Sequence, residues 1–179
     1  GGRQLAMAAI VGLSFERAQQ ILNESKVKGL YCANDNSSQQ VVLSGYAEEL
    51  AKVENPLKEG GAKGVIKLKV GGAFHTPLMG EAQKEFAHFL KEIPFNHPTA
   101  ELYSSVSSTE VTSGDEGRKL LAKQFTSPVR WRSLMEKFRG NKALELGPGR
   151  VLSHLYGEGC YLGGSYEELL RVKEGANHV

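Results

Sequence analysis

Cysteine is scarce in this sequence, and its scarcity excludes several classes of protein. The 179 residues contain only Cys32 and Cys160. Two isolated cysteines form neither a disulfide framework nor a zinc-type pair, so we expect no metal site. The cysteine usage favours a reducing, intracellular compartment.

Long apolar runs and an excess of one charge are also missing. No stretch approaches the roughly 20 apolar residues that a membrane helix needs, and the first residues do not have the pattern expected of a signal peptide. The 22 basic and 20 acidic residues leave a net charge of +2. That value is too small to indicate a nucleic acid or a membrane surface as partner. Hydrophobic residues make up 40% of the chain, which is enough for a folded core.

Strand-like and helix-like patterns alternate over the first 70 residues. The runs MAAIVGL, GLYCAN, QQVVLSG and AKGVIKLKV predict strands, and the polar stretch DNSS predicts a turn. One helix is predicted after Ser14, its N-cap. A second, AEELAKVEN, is predicted to end near Asn55 because Pro56 follows. The order β-α-β-β-α-β predicts a ferredoxin-like subdomain over residues 1–70, with both helices on one face of a four-stranded antiparallel sheet.

The second half has an α/β pattern with few strands. Helices are predicted for PLMGEAQKEFAHFLKEI, GDEGRKLLAKQF and PVRWRSLMEKFRG, the last with Pro128 in its first turn. AELYSSVSS and NKALELGPGR predict strands, and VLSHLYGEG predicts a last helix. Two strands do not make a stable open sheet, and the chain opens abruptly on a strand. We therefore expect more chain upstream, an α/β part over residues 71–156, and a tail of unknown structure over residues 157–179.

His75 is the histidine with the most defined local setting. It lies in GGAFHTPLMG, on a glycine-rich bend between a predicted strand and a predicted helix. Such a setting suits a general base, and an ordinary loop histidine also occurs in it. A histidine base needs a nucleophile, but no G-x-S-x-G elbow occurs in the sequence. Cys32 lies in an apolar strand and is interpreted as a buried small hydrophobic residue. The residues alone leave both interpretations of His75 open.

Five segments, taken in order, carry a family resemblance. They are AMAAIVGL, CANDNSSQQVVLSG, GAFHTPLM, FTSPVRW and ELGPGRVL. Together they resemble the motifs of the malonyl-CoA:acyl-carrier-protein transacylases, within the acyltransferase domain family, from about residue 6 to about residue 155. The resemblance implies part of an α/β-hydrolase-like acyltransferase core with an inserted ferredoxin-like subdomain. The expected fold class is therefore α/β with an α+β insert.

The same resemblance implies roles for individual residues. His75 matches the catalytic histidine, and Gln124 matches the residue whose backbone carbonyl orients that imidazole. The positions implied for the substrate pocket are Asn34, Asn36, Gln40 and Phe74. The position implied at the carrier-protein surface is Lys63. Phe74 would narrow the pocket and favour malonyl over methylmalonyl groups.

The activity implied by the resemblance is malonyl transfer from CoA to the phosphopantetheine thiol of an acyl carrier protein, in fatty-acid or polyketide synthesis. It proceeds by a ping-pong mechanism through a serine ester and needs no cofactor. The family's elbow serine, its oxyanion loop and its malonyl-binding arginine have no counterpart in this sequence. The upstream part of the chain is therefore an expected partner, and the 179 residues alone are expected to be inactive.

Two other functions remain open at this stage. One is a non-catalytic acyltransferase-like subunit with a structural or interaction role in a larger assembly. The other is a freestanding ferredoxin-like ligand-binding protein, which requires the half after His75 to fold without a partner sheet. An elbow serine upstream would favour the transacylase over the subunit. The compartment is expected to be the bacterial cytoplasm, a mitochondrion or a plastid.

Overall fold

The structure is a computed structural model that describes residues 2–164 and residue 170. The chain divides into two compact units, Gly1–Leu134 and Met135–Val179. The predicted domain boundaries after residues 70 and 156 are untested by this division and stay predictions. Most of the predicted tail lies outside the described residues.

The first unit opens with strands and helices in the predicted order. The elements are β1 (Leu5–Val11), α1 (Phe15–Glu24), β2 (Leu30–Ser37), β3 (Gln40–Tyr46), α2 (Ala47–Glu59) and β4 (Gly64–Lys67). The strands form one antiparallel sheet in the order β2-β3-β1-β4. This is the ferredoxin-like arrangement that the alternating pattern predicts.

The two faces of this sheet are buried separately. Val41 and Leu43 belong to the main core, which includes residues of α1 and α2, while Val42 belongs to a second cluster with Met7 and Ala9. The alternation follows from the two-residue period of a strand, which sends neighbouring side chains to opposite faces. Helix α1 begins as predicted, with Ser14 Oγ accepting a hydrogen bond from the backbone N–H of Arg17 at 3.3 Å.

The prediction that Pro56 ends the second helix is wrong. Helix α2 continues through Pro56 to Glu59. A proline in a helix interior removes one backbone hydrogen bond. Beyond it, however, Leu57 is fully buried in the core, and Lys58 pairs with Glu54 at 2.8 Å. Burial of the last turn outweighs the local cost of the proline.

The predicted strand AELYSSVSS is also absent from the structure. Tyr103 forms only an isolated bridge with Glu110. The serines fold the segment into turns instead: Ser104 Oγ accepts from the N–H of Val106 at 3.2 Å, and the N–H of Ser108 donates to the Ser104 carbonyl at 2.8 Å. Serine side chains compete with strand pairing through such local hydrogen bonds.

Three helices follow the sheet along the chain, and the third spans the boundary between the two units. They are α3 (Gly80–Phe89), α4 (Gly114–Lys123) and α5 (Trp131–Lys137), with short 3-10 turns on both sides of α3. The prediction of Pro128 in the first turn of α5 is wrong, because Val129 is extended. The N–H of Val129 donates to the Ala33 carbonyl at 2.9 Å, and its carbonyl accepts from the N–H of Asp35 at 2.8 Å. Helix α5 therefore begins only after this pairing with β2.

The predicted turn DNSS is displaced toward the C-terminus. Strand β2 continues to Ser37, and the turn falls at Ser38 and Gln39. The pairing of β2 with β3 shifts register after Cys32 and again after Asp35. These register shifts allow β2 to include polar residues, whereas the sequence pattern predicts that the strand ends before them.

The second unit contains β5 (Ala143–Glu145), α6 (Val151–Tyr156) and β6 (Cys160–Leu162). Strand β6 pairs in parallel with β5 and lies within the segment predicted as a tail of unknown structure. The Gly-Pro-Gly turn between β5 and α6 places Gly147 and Gly149 at φ 128° and 102°, where side chains other than glycine are strained.

Glu145 binds the start of α6 and explains its place in the motif ELGPGR. Its carboxylate accepts from the backbone N–H of Leu152 at 3.0 Å and from that of Ser153 at 2.8 Å. These two hydrogen bonds lower the pKa of the Glu145 carboxyl below its usual value, and the bond from Leu152 has the larger effect. Because this pKa is lower in the folded state than in the unfolded state, the ionised carboxylate stabilises the fold at any pH above the unfolded-state pKa. That stabilisation is lost as the pH falls through the folded-state pKa.

We expect Glu145→Gln to loosen the first turn of α6. The amides of Leu152 and Ser153 should exchange with solvent several-fold faster at neutral pH, and the difference from wild type should shrink at acid pH, where the wild-type carboxyl is protonated. Amide hydrogen exchange measures this. Glu158→Gln is the matched control because Glu158 is exposed in the same unit. Equal exchange in the two variants would contradict the assignment.

Within the described residues, no helix combines the length and the apolar character needed to span a membrane.

Candidate active site

His75 lies on a turn that the neighbouring backbone holds in place. Its φ of 62° is in the left-handed region, which histidine visits more readily than most side chains. The next residue, Thr76, is fully buried; its hydroxyl donates to the Ala73 carbonyl at 2.7 Å and accepts from the N–H of Leu78 at 3.3 Å. These bonds close the turn on both sides of His75 and leave the imidazole half-buried.

The imidazole contacts the residue that the family resemblance names. His75 Nδ1 lies 2.7 Å from the backbone carbonyl oxygen of Gln124, 49 residues further along the chain. A carbonyl oxygen only accepts hydrogen bonds, so Nδ1 carries the proton in this contact. In the neutral ring Nε2 then has a free lone pair and can accept a proton. The arrangement has the geometry of an oriented general base.

Gln124 is itself held from several directions. It is the C-cap of α4, where its N–H donates to the Leu120 carbonyl at 3.1 Å. Its side-chain Nε2 donates to Ser105 Oγ at 3.3 Å. Just after it, the rings of Phe86 and Phe125 pack with centroids 5.1 Å apart. The carbonyl that accepts from His75 therefore belongs to a well-supported helix end.

Phe74 is partly exposed beside His75, with 39% of its surface accessible. Its ring lies against Gly72: a Cβ on Gly72 would meet the ring carbons Cε2 and Cζ at 3.1 Å. Glycine at this position thus allows the ring to fold back over the turn. The role predicted for Phe74 in the choice of acyl group stays a prediction.

The remaining predicted site residues lie on the sheet. Asn34 and Asn36 are half-buried on β2, and Gln40 begins β3 at the same hairpin. Among the described residues, no hydrogen bond joins any of these three side chains to His75. Lys63 is exposed just before β4, and its N–H donates to the Val11 carbonyl at 2.7 Å. Their predicted roles stay predictions.

Arg132 makes contacts that the sequence analysis does not predict. Its Nε donates to Asp35 Oδ2 at 3.0 Å, and its Nη2 pairs with Glu16. The pKa of Glu16 is lowered by its own backbone N–H and next by the Arg132 guanidinium. Residues 97 and 116 positions apart meet here. No local sequence signal reports so distant a pairing.

The structure also bears on Cys32 as a nucleophile and on metal binding. Cys32 is buried, and burial raises the pKa of its thiol to about 12, so the thiolate needed for attack is not formed at neutral pH. In the described part of the chain, no three His, Cys, Asp or Glu side chains cluster in a way that would hold a metal ion.

Comparisons with known sequences relate the chain to acyltransferases. It is 36% identical over 157 residues to the malonyl CoA-acyl carrier protein transacylase of Synechocystis, covering 86% of this chain and 52% of that protein. The Escherichia coli K12 protein of the same name is 36% identical over 156 residues, with 84% and 50% covered. A polyketide biosynthesis protein of Burkholderia thailandensis is 35% identical over 157 residues, 86% of this chain and 13% of that protein. No model of a protein family matches the chain.

Solved structures agree with the sequence matches. The transacylase of Helicobacter pylori has a TM-score of 0.90 at 26% identity, covering 99% of this chain and 58% of that one. A malonyl-transacylase in complex with a type II polyketide acyl carrier protein has a TM-score of 0.89 at 28% identity, covering 98% and 60%. The predicted fold class, part of an acyltransferase with a mixed α/β architecture, is confirmed by these matches.

The fold is that of the acyltransferase class. More specifically, the chain is homologous to the malonyl CoA-acyl carrier protein transacylases over most of its length, as the sequence motifs predict. It spans about half the length of the curated transacylases that it matches.

Proposed function

We propose that this chain is the base-carrying part of an enzyme that transfers a malonyl group from CoA to the phosphopantetheine thiol of an acyl carrier protein. One observation carries the proposal: His75 Nδ1 donates to the Gln124 carbonyl at 2.7 Å, which leaves Nε2 free as the base. The names of the relatives support the choice of acyl group and acceptor. The pathway served is fatty-acid or polyketide synthesis.

The proposed mechanism has two half-reactions. His75 Nε2 takes the proton of a serine hydroxyl while the serine oxygen attacks the malonyl thioester carbon. The bond from that carbon to sulfur breaks, and the CoA thiolate leaves with the proton returned by the imidazolium. In the second half-reaction the imidazole takes the proton of the phosphopantetheine thiol while the sulfur attacks the carbonyl carbon of the malonyl-serine ester. The bond from that carbon to the serine oxygen breaks, and the imidazolium returns the proton to that oxygen.

The serine in this mechanism is supplied by polypeptide outside these 179 residues, which contain no nucleophile elbow. No metal or redox chemistry is required by the proposed steps. Phe74, Asn34, Asn36 and Gln40 are proposed to bound the acyl pocket, and Lys63 to contact the carrier protein. The proposed setting is the bacterial cytoplasm or an organelle.

A non-catalytic role in a larger assembly is the second candidate. The observation that favours it is the same absence of an elbow serine from this sequence. The complete reading frame that contains the 179 residues distinguishes the two functions, because only the transacylase needs the serine.

We expect the 179-residue chain alone to transfer no malonyl group above background, since a base without its nucleophile forms no covalent intermediate. The protein from the complete reading frame should transfer it. The assay follows radiolabelled malonyl-CoA to an acyl carrier protein, with the carrier lacking phosphopantetheine as the blank. Robust transfer by the bare chain would show that the chemistry has been assigned to the wrong residues.

A further inference from the structure

A group of ion pairs connects the sheet and α1 to the start of α5, eight residues after Gln124. Arg132, with 24% of its side chain exposed, pairs with Asp35 on β2 and with Glu16 at the start of α1. Asp35 is more deeply buried, with 12% of its side chain exposed. We refer to the contacts of Arg132 with Asp35 and Glu16 as the Arg132 clamp. Charge-assisted bonds of a guanidinium are directional, so they fix orientation as well as proximity.

The backbone next to Arg132 is fixed to the same strand. Val129 exchanges two hydrogen bonds with β2, at 2.9 Å to the Ala33 carbonyl and at 2.8 Å from the N–H of Asp35. The clamp and this pairing therefore hold both ends of the stretch 129–132. Asp35 takes part in both, because its carboxylate binds the Arg132 side chain and its N–H donates to the Val129 carbonyl.

Two short routes lead from this stretch to Gln124, the first to its side chain and the second to the residue before it. Through space, the N–H of Arg130 donates to the Ser105 carbonyl at 2.7 Å, and Ser105 Oγ accepts from Gln124 Nε2 at 3.3 Å. Along the chain, the N–H groups of Thr126 and Ser127 both donate to the Lys123 carbonyl at 3.0 Å. A displacement of the clamp would be passed to Gln124 by either route.

We propose that Arg132 is a positioning residue for His75, because its ion pairs with Asp35 and Glu16 fix the segment whose Gln124 carbonyl orients the imidazole. Arg132 acts through Gln124 and touches neither substrate nor imidazole. The inference rests on the proposed function, in which His75 is the base. It predicts that loss of the clamp changes the tautomer of His75 as well as the rate of any reaction that His75 catalyses.

The tautomer of His75 tests this directly on the 179-residue chain. Long-range ¹H–¹⁵N correlation spectra, recorded where imidazole is neutral, distinguish a ring protonated at Nδ1 from one protonated at Nε2. The signals of His75 are identified by their loss in His75→Asn. Arg132→Gln is compared with Arg130→Gln, a neighbouring arginine whose side chain is exposed.

The wild type and Arg130→Gln should show the Nδ1–H form, and Arg132→Gln should lose part of it to the Nε2–H form. A folded Arg132→Gln with the wild-type tautomer would overturn the proposal. If that variant does not fold, Arg132→Lys decides, because lysine keeps the charge but lacks the guanidinium fork. A partial shift in Arg132→Lys supports the proposal, and a wild-type tautomer overturns it.

Kinetics on the protein from the complete reading frame separate this proposal from the proposed function. Arg132→Gln should lower kcat for malonyl transfer by up to about 10²-fold, as misplaced catalytic groups do, with little change in KM. A tautomer shift in a protein that transfers no malonyl supports the positioning role and rejects the transacylase. Malonyl transfer with an unchanged tautomer and an unchanged kcat supports the transacylase and rejects the positioning role.

Discussion

Replacing His75 in the protein from the complete reading frame is expected to lower kcat/KM for malonyl transfer by about 10²–10⁴-fold, the usual contribution of a positioned acid–base group. The reason is the loss of the Nε2 lone pair that the bond from Nδ1 to Gln124 leaves available. Asparagine is the better replacement than alanine, because position 75 has φ 62° and asparagine tolerates the left-handed region. Radiolabelled malonyl transfer to the carrier protein measures the loss.

The matched control for His75→Asn is His88→Asn. His88 is exposed on α3 and makes no hydrogen bond through its side chain among the described contacts. It should keep the wild-type rate. Thermal unfolding of both variants should resemble that of wild type, since His75 is only half-buried on a turn. Full activity in a folded His75→Asn protein would exclude His75 as the base.

The second prediction with a large expected effect concerns the core that packs against the β2-β3-β1-β4 sheet. Leu43→Ala should reduce the free energy of unfolding of the first unit by about 2–5 kcal/mol, as expected for a buried leucine truncated to alanine. Leu43 is fully buried on β3, where it pairs with Ala8 on one side and Cys32 on the other. Urea unfolding followed by the fluorescence of Trp131, the only tryptophan of the chain, measures the change.

Leu68→Ala is the control for Leu43→Ala, because it deletes the same atoms from a side chain that is 36% exposed. The loss of stability there should be about 0.5 kcal/mol or less, as at most surface positions. A similar loss in both variants would mean that burial at Leu43 does not stabilise the unit.

Local patterns predict the sheet subdomain well because its signals are local. The two-residue alternation around Val41, Val42 and Leu43 and the N-cap at Ser14 each depend on neighbours in the chain. The same local reasoning fails at Pro56 and over 101–108, though for different reasons. At Pro56 the burial of Leu57 decides, and over 101–108 side chains of serine compete with strand pairing.

Only one part of the candidate site could be predicted from a local pattern. The bend at His75 is visible in GGAFHTPLMG, but its pairing with Gln124 follows only from the resemblance to the transacylases and not from any spacing in the chain. The structure contains that pairing at 2.7 Å. The catalytic roles of both residues stay proposals that the rate of His75→Asn tests.

The sequence by itself determined the order of strands and helices in the sheet subdomain, the turn that carries His75 and the resemblance of the chain to the transacylases. Periodicity, capping and motif order are properties of neighbouring residues, which a sequence records directly. Only the tertiary structure decided that Val129 joins the edge of β2 and that Arg132 reaches Asp35 and Glu16. Those contacts join residues about a hundred positions apart. They form because packing of the sheet brings distant charges together, and no local pattern encodes that geometry.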